Sequence, residues 1–173
     1  NNQTIVLTSL LEGIGEDHRV LDAGTGRGGS AFMIHDILKC NVLGLNISGY
    51  QIEYAEKIAS ELGMNGNVKF QFMNMERTEL ERESLDAVVT NETTMYIKKL
   101  ENLFGEFSRI LRKGGVYVNA TWCKNDLHKG DFNAVRQIEN HYRTKTHFRS
   151  DYIRALIKTG FVPISIWDLS EDA

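Results

Sequence analysis

A glutamate stands directly behind an apolar run in the middle of the chain. Residues 85–89, LDAVV, lead into a polar stretch in which Asn91 and Glu92 are followed by two threonines. A carboxylate at the mouth of a buried strand costs free energy unless it is hydrated, paired or used in chemistry. Glu92 could therefore be a solvated loop residue, a hydrogen-bond partner for an amine or hydroxyl, or a general base that removes a proton.

The glycine-rich turn VLDAGTGRGGS is a candidate binding site, and a ligand bound there could explain the carboxylate of Glu92. Gly24, Gly26 and Gly29 satisfy the G-x-G-x-x-G spacing of dinucleotide sites, where glycines let the backbone approach a ligand. Asp22 lies two residues before the first glycine, however, where it would repel a pyrophosphate. The next apolar run ends in Asn46 rather than in the carboxylate that holds a ribose about 20 residues on. A cationic nucleoside without phosphates suits Asp22 better; the alternative is a tight turn that binds nothing.

These residues can meet only if the strands that precede them are neighbours in one sheet. Apolar runs predict six strands, at residues 18–23, 41–45, 68–72, 85–89, 116–121 and 161–167. Periodic patterns predict helices between them, at residues 4–11, from the glycine turn to 38, and at 48–62, 100–111, 128–142 and 151–158. Ser48 and Ser150 are expected to cap two of these helices. The alternation predicts one doubly wound α/β domain over residues 1–173, with a mostly parallel sheet.

Composition and charge bear on the class of protein. The 173 residues carry a net charge of -3, which gives no indication of a nucleic-acid or anionic-membrane partner. No apolar stretch approaches the length of a membrane span, and no signal-peptide pattern opens the chain. Cys40 and Cys123 fit buried thiols in a reducing compartment better than a disulfide framework. These features predict a cytoplasmic protein.

The acidic residue before Gly24-x-Gly26 resembles the first motif of the class I methyltransferases, whose cofactor is S-adenosylmethionine (SAM), a cationic nucleoside. The resemblance implies a doubly wound, Rossmann-like fold in which Asp22, Gly24 and Gly26 bind SAM. Asn46 with Gln51 resembles the subgroup that methylates lipid and alkene carbons, where such a pair contacts the ribose hydroxyls. An amide can supply the donor and the acceptor for that role, although both residues could instead cap the next helix.

The segment after the third strand, FMNMERTEL, is similar to the part of these enzymes that flanks the adenine. The resemblance implies adenine contacts from Asn74, Met75 and Glu76. A thioether is polarizable and adapts to a purine, but Met75 could equally fill the core. Asn91, at the end of the fourth strand, is expected to lie at the same crevice and is a candidate cofactor-binding residue.

Further stretches resemble one family of that class, the geranyl diphosphate 2-C-methyltransferases: GRGGS, NETTMY, LFGEFSRILRKGGVYV, QIENHY, HFRSDYIRAL and FVPISIWDLSED. Methyl transfer to an alkene carbon leaves a carbocation, and the resemblance makes Glu92 the base that removes its proton. The ring of Tyr142 would stabilise the cation. The geranyl enzyme carries phenylalanine there, so Tyr142 predicts a smaller, more polar pocket and leaves a shorter or differently folded prenyl chain open. Tyr142 could instead be a core aromatic.

The resemblance also implies a prenyl diphosphate substrate and a Mg²⁺ ion that arrives with it. His147 and Arg149 match family positions and are candidate diphosphate ligands, whereas Arg143 and Arg154 are interpreted as solvated helix charges. No His, Asp and Glu cluster has the spacing of a metal site, so no protein metal ligand is predicted.

The resemblance implies seven strands, so the six predicted here suggest that the last strand is lacking and that the chain is trimmed at both ends. Two rival functions stay open. One is a SAM-dependent N- or O-methyltransferase of a small metabolite, in which Glu92 positions the acceptor; the other is a SAM-binding module without activity. The expected partner is the small-molecule substrate, with a second copy of the chain as an open alternative, and neither nucleic acid nor a membrane.

Overall fold

Five parallel strands form the sheet at the centre of the protein. The computed structural model describes residues 2–127 and 131–169. The strands are β1 (Arg19–Ala23), β2 (Asn41–Asn46), β3 (Val68–Phe72), β4 (Leu85–Asn91) and β5 (Leu111–Ala120). Their spatial order is β3-β2-β1-β4-β5, and every neighbouring pair is parallel. The chain order reverses between β1 and β4, where open α/β sheets place their binding crevice.

Helices cover both faces of this sheet, which confirms the predicted doubly wound α/β fold. They are α1 (Asn2–Ser9), α2 (Gly29–Leu38), α3 (Gly49–Glu61), α4 (Leu100–Ile110), α5 (Asn133–Tyr142) and α6 (Arg149–Lys158), and a 3₁₀ turn (Thr94–Tyr96) follows β4. Successive residues of a strand point to opposite faces. Val20 of β1 accordingly packs in the core beneath α1, α2 and α3, and Leu21 packs in the core beneath α4 and α6.

The predicted sixth strand, at residues 161–167, is wrong. The backbone of residues 161–169 is irregular, and the side chains of Val162 and Ile164 are 84% and 91% exposed. A strand is stable only when a neighbour takes its backbone hydrogen bonds. Within the described residues no strand lies beside this segment. Its apolar residues therefore show strand propensity without a partner, and the described sheet has five strands instead of six.

Of the two predicted serine caps, the N-cap position of Ser48 is confirmed and the cap at Ser150 is wrong. Ser48 occupies the N-cap position of α3, but its hydroxyl makes no capping bond; its amide instead donates to Asn46 Oδ1 at 3.1 Å. Helix α6 begins at Arg149, so Ser150 lies inside it, and the Ser150 amide donates to the Asp126 carboxylate at 3.1 Å. Residues 128–130 of the predicted helix 128–142 lie outside the described residues, and α5 begins at Asn133.

The two cysteines differ in exposure. Cys40, before β2, is buried as expected, whereas Cys123 is exposed because it lies in the irregular segment beyond the end of β5. The prediction of two buried thiols is therefore wrong for Cys123. Among the described residues, no helix combines the length and the apolar character that crossing a membrane requires.

The first prediction concerns Gly24, at the end of β1. Gly24 has φ +86°, and a Cβ there would lie within 2.8 Å of three side-chain atoms of Thr93. Gly24→Ala should therefore lower the free energy of unfolding by about 2–5 kcal/mol, since backbone strain and overpacking add. Gly13→Ala is the matched control, because Gly13 has φ +79° but nothing within 4 Å. Its loss should be about 1–2 kcal/mol. Equal losses in denaturant titrations would contradict the steric account.

Candidate active site

One threonine joins the carboxyl ends of β1 and β4. Thr93 Oγ1 donates to the Ala23 carbonyl at 3.3 Å, and the Thr93 side chain packs directly against Gly24. The Gly24 amide donates to the Leu45 carbonyl of β2 at 2.9 Å. The glycine turn is thus held by β2 and by the segment after β4. Glu92 precedes Thr93 in the chain, so the expected placement of the glutamate next to the glycine turn follows from these contacts.

Asp22 is buried at the end of β1 and faces its own loop. Its Oδ2 accepts a hydrogen bond of 2.7 Å from Thr25 Oγ1, and only 1% of the residue is exposed. Burial raises the pKa of Asp22 to about 6, although the Thr25 hydroxyl and the Ala31 amide favour the charged form. The carboxylate therefore braces the glycine turn, and any attraction for a cationic ligand would act without direct exposure to solvent.

Gly26 and two amide side chains lie together at the open side of the turn. Gly26 has φ +58°, and no atom lies within 4 Å of the position its Cβ would take. Asn46 Nδ2 donates to the Gly26 carbonyl at 3.2 Å and to Gln51 Oε1 at 2.7 Å. The pair predicted for the ribose is therefore assembled beside the glycine turn. In the described part of the chain, the amide nitrogen of Gln51 has no acceptor, which leaves it available to a ligand hydroxyl.

The segment predicted to flank the adenine follows β3. The Asn74 side chain accepts a hydrogen bond of 2.9 Å from the Glu76 amide and so shapes the turn. Met75 packs against the core, and its sulfur lies 3.5 Å from Thr93 Oγ1. Glu76 lines an open groove of about 420 Å³ together with Tyr96, Lys98, Lys99 and Asn102. Met75 thus packs at the edge of the core, and its predicted contact with the adenine stays a prediction.

The side chain of Asn91 has a buried polar atom without a hydrogen-bond partner in the part of the chain that the structure describes. Its Nδ2 donates to Thr4 Oγ1 at 3.3 Å and to Ser30 Oγ at 3.4 Å, while its Oδ1 is buried without a hydrogen-bond partner in the described residues. Such an orphan costs about 1–3 kcal/mol. Exchanging the amide nitrogen and oxygen would move the orphan without removing it. The unpartnered oxygen can accept a hydrogen bond from a ligand donor, such as the amino group of SAM.

Glu92 occupies a strained backbone conformation. Its φ is +54°, a left-handed conformation that costs a residue other than glycine about 1–2 kcal/mol. Its amide donates to the Ala120 carbonyl of β5 at 2.8 Å, and its side chain is exposed. In the described part of the chain, its carboxylate forms neither a salt bridge nor a hydrogen bond. Such strain is concentrated at functional sites, and the free carboxylate is open to water or to a substrate.

Tyr142 lies at the end of α5, a helix in which no residue is buried. The tyrosine is 61% exposed, and its ring packs edge-on against His141 at 4.7 Å between ring centroids. Tyr142 is therefore no core aromatic. Its predicted role beside a carbocation stays a prediction, and an exposed ring is free to take it.

The two candidate diphosphate ligands differ in availability. His147 is 6% exposed, and its Nε2 donates to the Ile97 carbonyl at 2.8 Å, which is a structural role. Arg149 is half-exposed, and its nearest carboxylate oxygen, on Asp126, is 3.7 Å away. The geometry therefore favours Arg149 over His147 as a phosphate ligand. Among residues 2–127 and 131–169, no group of three or more His, Cys, Asp or Glu side chains could hold a metal ion.

The structure adds two residues that the sequence analysis missed. Thr25 holds the carboxylate of Asp22, and Thr93 joins Gly24, Ala23 and Met75. Both threonines are buried. The spacing of Thr25 to Asp22 was a readable signal, since a hydroxyl three residues on can reach a carboxylate across a turn. The role of Thr93 depends on the pairing of β1 with β4, which no local pattern shows.

The second prediction uses the buried carboxylate of Asp22. Because the fold raises its pKa from 3.8 to about 6, folding favours the neutral acid. The stabilising contribution is complete below about pH 3.8 and is lost as the pH rises through about 6. Asp22→Asn keeps an acceptor for Thr25 without a charge. The variant should therefore gain about 2 kcal/mol over the parent between pH 4 and pH 7.

Denaturant titrations of both proteins across this pH range measure the difference. The other carboxylates are shared, so their contributions cancel. A difference that does not change with pH would show that Asp22 is ionised in the fold at pH 4.

Comparisons with known proteins agree with this geometry. The methyltransferase-domain family matches residues 14–157. Geranyl diphosphate 2-C-methyltransferase of Saccharopolyspora erythraea is 41% identical over 98% of this chain and 59% of its own length. The same enzyme of Streptomyces lasalocidi is 36% identical over 98% of this chain and 56% of its length. The chain thus spans a little over half the length of these curated relatives.

Solved structures give the same result. Geranyl diphosphate C-methyltransferase of Streptomyces coelicolor, in complex with Mg²⁺, geranyl diphosphate and S-adenosyl-L-homocysteine (SAH), has a TM-score of 0.95 at 35% identity. The match covers 98% of this chain and 63% of that one. A geranyl diphosphate methyltransferase in complex with SAM has a TM-score of 0.95 at 36% identity, over 98% of this chain and 68% of that one. These matches confirm the resemblance and the fold inferred from the sequence, and the chain belongs to the methyltransferase-domain family.

Proposed function

We propose that the protein is a SAM-dependent C-methyltransferase that adds a methyl group to an alkene carbon of an isoprenyl diphosphate of the geranyl, farnesyl or isopentenyl type. The observation that carries the proposal is the free, exposed carboxylate of Glu92, which is held in a strained conformation next to the glycine turn. A general base for a carbon-bound proton needs this freedom from other partners. The similarity to geranyl diphosphate 2-C-methyltransferases over 98% of the chain supports the same reaction.

The cofactor site is proposed at the carboxyl ends of β1, β2 and β4. Asp22 and the Gly24 to Gly26 turn would lie beside the cationic part of SAM, and Asn91 would offer its unpartnered amide oxygen. The amide nitrogen of Gln51, aligned by Asn46, would donate to a ribose hydroxyl. Residues 74–76 would border the adenine. SAM supplies an electrophilic methyl group at its sulfonium.

After the methyl group has joined the alkene, the protein must stabilise a carbocation and remove a proton from it. The π electrons of the double bond would form the new carbon–carbon bond as the bond from the methyl group to sulfur breaks and its electron pair stays with SAH. A cation would then remain on the neighbouring carbon of the substrate. The ring of Tyr142 would stabilise this charge through its face. Glu92 would take a proton from the adjacent carbon, and the electrons of that C–H bond would restore the double bond.

The diphosphate would lie toward the half-exposed Arg149. A guanidinium matches phosphate oxygens in shape and charge. His147 is a weaker candidate ligand, because its Nε2 already donates to the Ile97 carbonyl. Mg²⁺ would arrive with the diphosphate. We also propose that residues 1–173 belong to one domain and that the protein is cytoplasmic, which its cysteine usage favours.

The third prediction tests Glu92. Glu92→Gln keeps the size of the side chain but removes its basicity, so alkene formation should fall by about 10²–10⁴-fold. The affinity for SAH should change little, because the cofactor contacts belong to other residues. Glu83→Gln is the matched control, since Glu83 is also exposed, also has φ +54° and lies at the opposite end of β4. Single-turnover product analysis with labelled SAM and three prenyl diphosphates, beside calorimetric titration of SAH and NAD, provides the measurements.

Several outcomes would overturn the assignment. Undiminished alkene formation by Glu92→Gln would remove Glu92 from the mechanism, and an equal loss of SAH binding would make it a cofactor ligand. Saturable binding of NAD without binding of SAH would exclude the methyltransferase function. Methylation of amines or phenols in a parallel panel, without turnover of any prenyl diphosphate, would establish the N- or O-methyltransferase alternative.

The fourth prediction concerns the ring of Tyr142. Tyr142→Phe should retain activity and admit a longer prenyl chain, because the aromatic face stays. Tyr142→Ala should slow the reaction, because loss of the ring should raise the activation free energy by about 0.5–2 kcal/mol. The stability of the fold should stay within about 0.5 kcal/mol, since the side chain is exposed. Turnover by Tyr142→Ala at the parent rate would show that the ring does not face the cation.

A further inference from the structure

Two threonines bracket Glu92 and bond to the same side chain. Thr90 lies two residues before the glutamate and Thr94 two residues after it. Thr90 Oγ1 donates to Asn119 Oδ1 at 2.8 Å, and Asn119 Oδ1 also lies 3.5 Å from Thr94 Oγ1. Asn119 belongs to β5 and thus ties the backbone on both sides of Glu92 to the neighbouring strand.

Tyr152 of α6 completes this arrangement. Its hydroxyl lies 3.0 Å from Thr94 Oγ1 and 3.3 Å from Thr121 Oγ1, and Thr94 Oγ1 lies 3.0 Å from Thr121 Oγ1. The Thr94 hydroxyl has one proton, which it directs to Thr121 or to Asn119. Thr94 can therefore accept the proton of Tyr152. Burial raises the pKa of Tyr152, which keeps that proton on the tyrosine.

The hydroxyl groups at the centre of this network are buried. Thr90 and Thr94 are fully buried and Tyr152 is 6% exposed, with its ring 6.3 Å from that of Phe104. Buried hydroxyls are costly unless they are bonded, and a satisfied network of this kind fixes one geometry. The carboxylate of Glu92 makes no contact of its own with the described residues that would fix it. Its position depends on the backbone between Thr90 and Thr94.

We propose that Tyr152 is a positioning residue for Glu92: its hydroxyl holds Thr94, and with Asn119 it fixes the turn that aims the carboxylate at the substrate. The inference rests on the proposed function, because it assigns Glu92 the work of a base. Misplacing a reacting group by about 1 Å can cost on the order of 10²-fold in rate. Loss of a single buried hydrogen bond to this turn should therefore cost activity beyond its effect on stability.

The test uses Tyr152→Phe in the full chain, with Thr159→Val as the control for the loss of a hydroxyl on the same helix. Thr159 follows the last residue of α6, and its hydroxyl donates to the Ala155 carbonyl at 2.8 Å and not to the turn behind Glu92. Tyr152→Phe should slow single-turnover alkene formation on the order of 10-fold, raise the share of methylated alcohol formed by water capture, and leave SAH affinity within about twofold. Thr159→Val should keep the product ratio of the parent.

A double variant separates positioning from a general structural effect. If Tyr152 acts through Glu92, Tyr152→Phe should cause little further loss in a Glu92→Gln background, since residues that act as a unit are not additive. Equal losses in both backgrounds, or a product ratio for Tyr152→Phe like that of the parent, would overturn the inference. An absence of methylated product from the parent enzyme would instead refute the proposed function, so the two failures are distinguishable.

Discussion

The contact between Gly24 and Thr93 is the constraint on which the site depends. The Thr93 side chain occupies the volume that a Cβ at residue 24 would need, and its hydroxyl bonds to Ala23. The contact brings the glycine turn and the segment after β4 to within van der Waals distance. One chain segment holds the proposed cofactor site and the other carries Glu92. Their spacing follows from this packing and from the parallel pairing of β1 with β4.

Several polar groups of the proposed site form hydrogen bonds within the protein itself. Asp22 accepts from Thr25, and Asn46 bonds to Gly26, Gln51 and Ser48 at once. These bonds fix the orientation of each group before a ligand arrives, which lowers the entropy lost on binding. Asn91 and Glu92 differ, because an amide oxygen of the first and the carboxylate of the second have no partner in the described residues. The unpartnered groups are therefore the ones with capacity left for a ligand or a substrate.

Local patterns predicted the parts of this structure that depend on local physics. The five strands and the glycine turn carry strong signals, because apolar runs bounded by glycines have few other solutions. The prediction of a sixth strand is wrong because residues 161–167 have the residue types of a strand but no neighbouring strand among the described residues. The structural role of His147 was also out of reach, since its partner Ile97 lies 50 positions earlier in the chain. Tyr142 could be placed on a helix but not on its exposed face, because α5 buries none of its residues.

The base and the aromatic ring proposed for the reaction depend on one common support. No residue of α5 is buried, so polar contacts hold the helix: Glu139 forms an ion pair of 2.9 Å with Lys124, and the segment after α5 bonds to the turn behind Glu92. In that segment the Lys145 amide donates to the Met95 carbonyl at 2.7 Å, and His147 donates to the Ile97 carbonyl at 2.8 Å. Met95 and Ile97 belong to the same turn that Thr94 fixes behind Glu92. Hydrogen bonds to this turn and the ion pair of Glu139 therefore connect the helix that carries Tyr142 to the segment that carries Glu92.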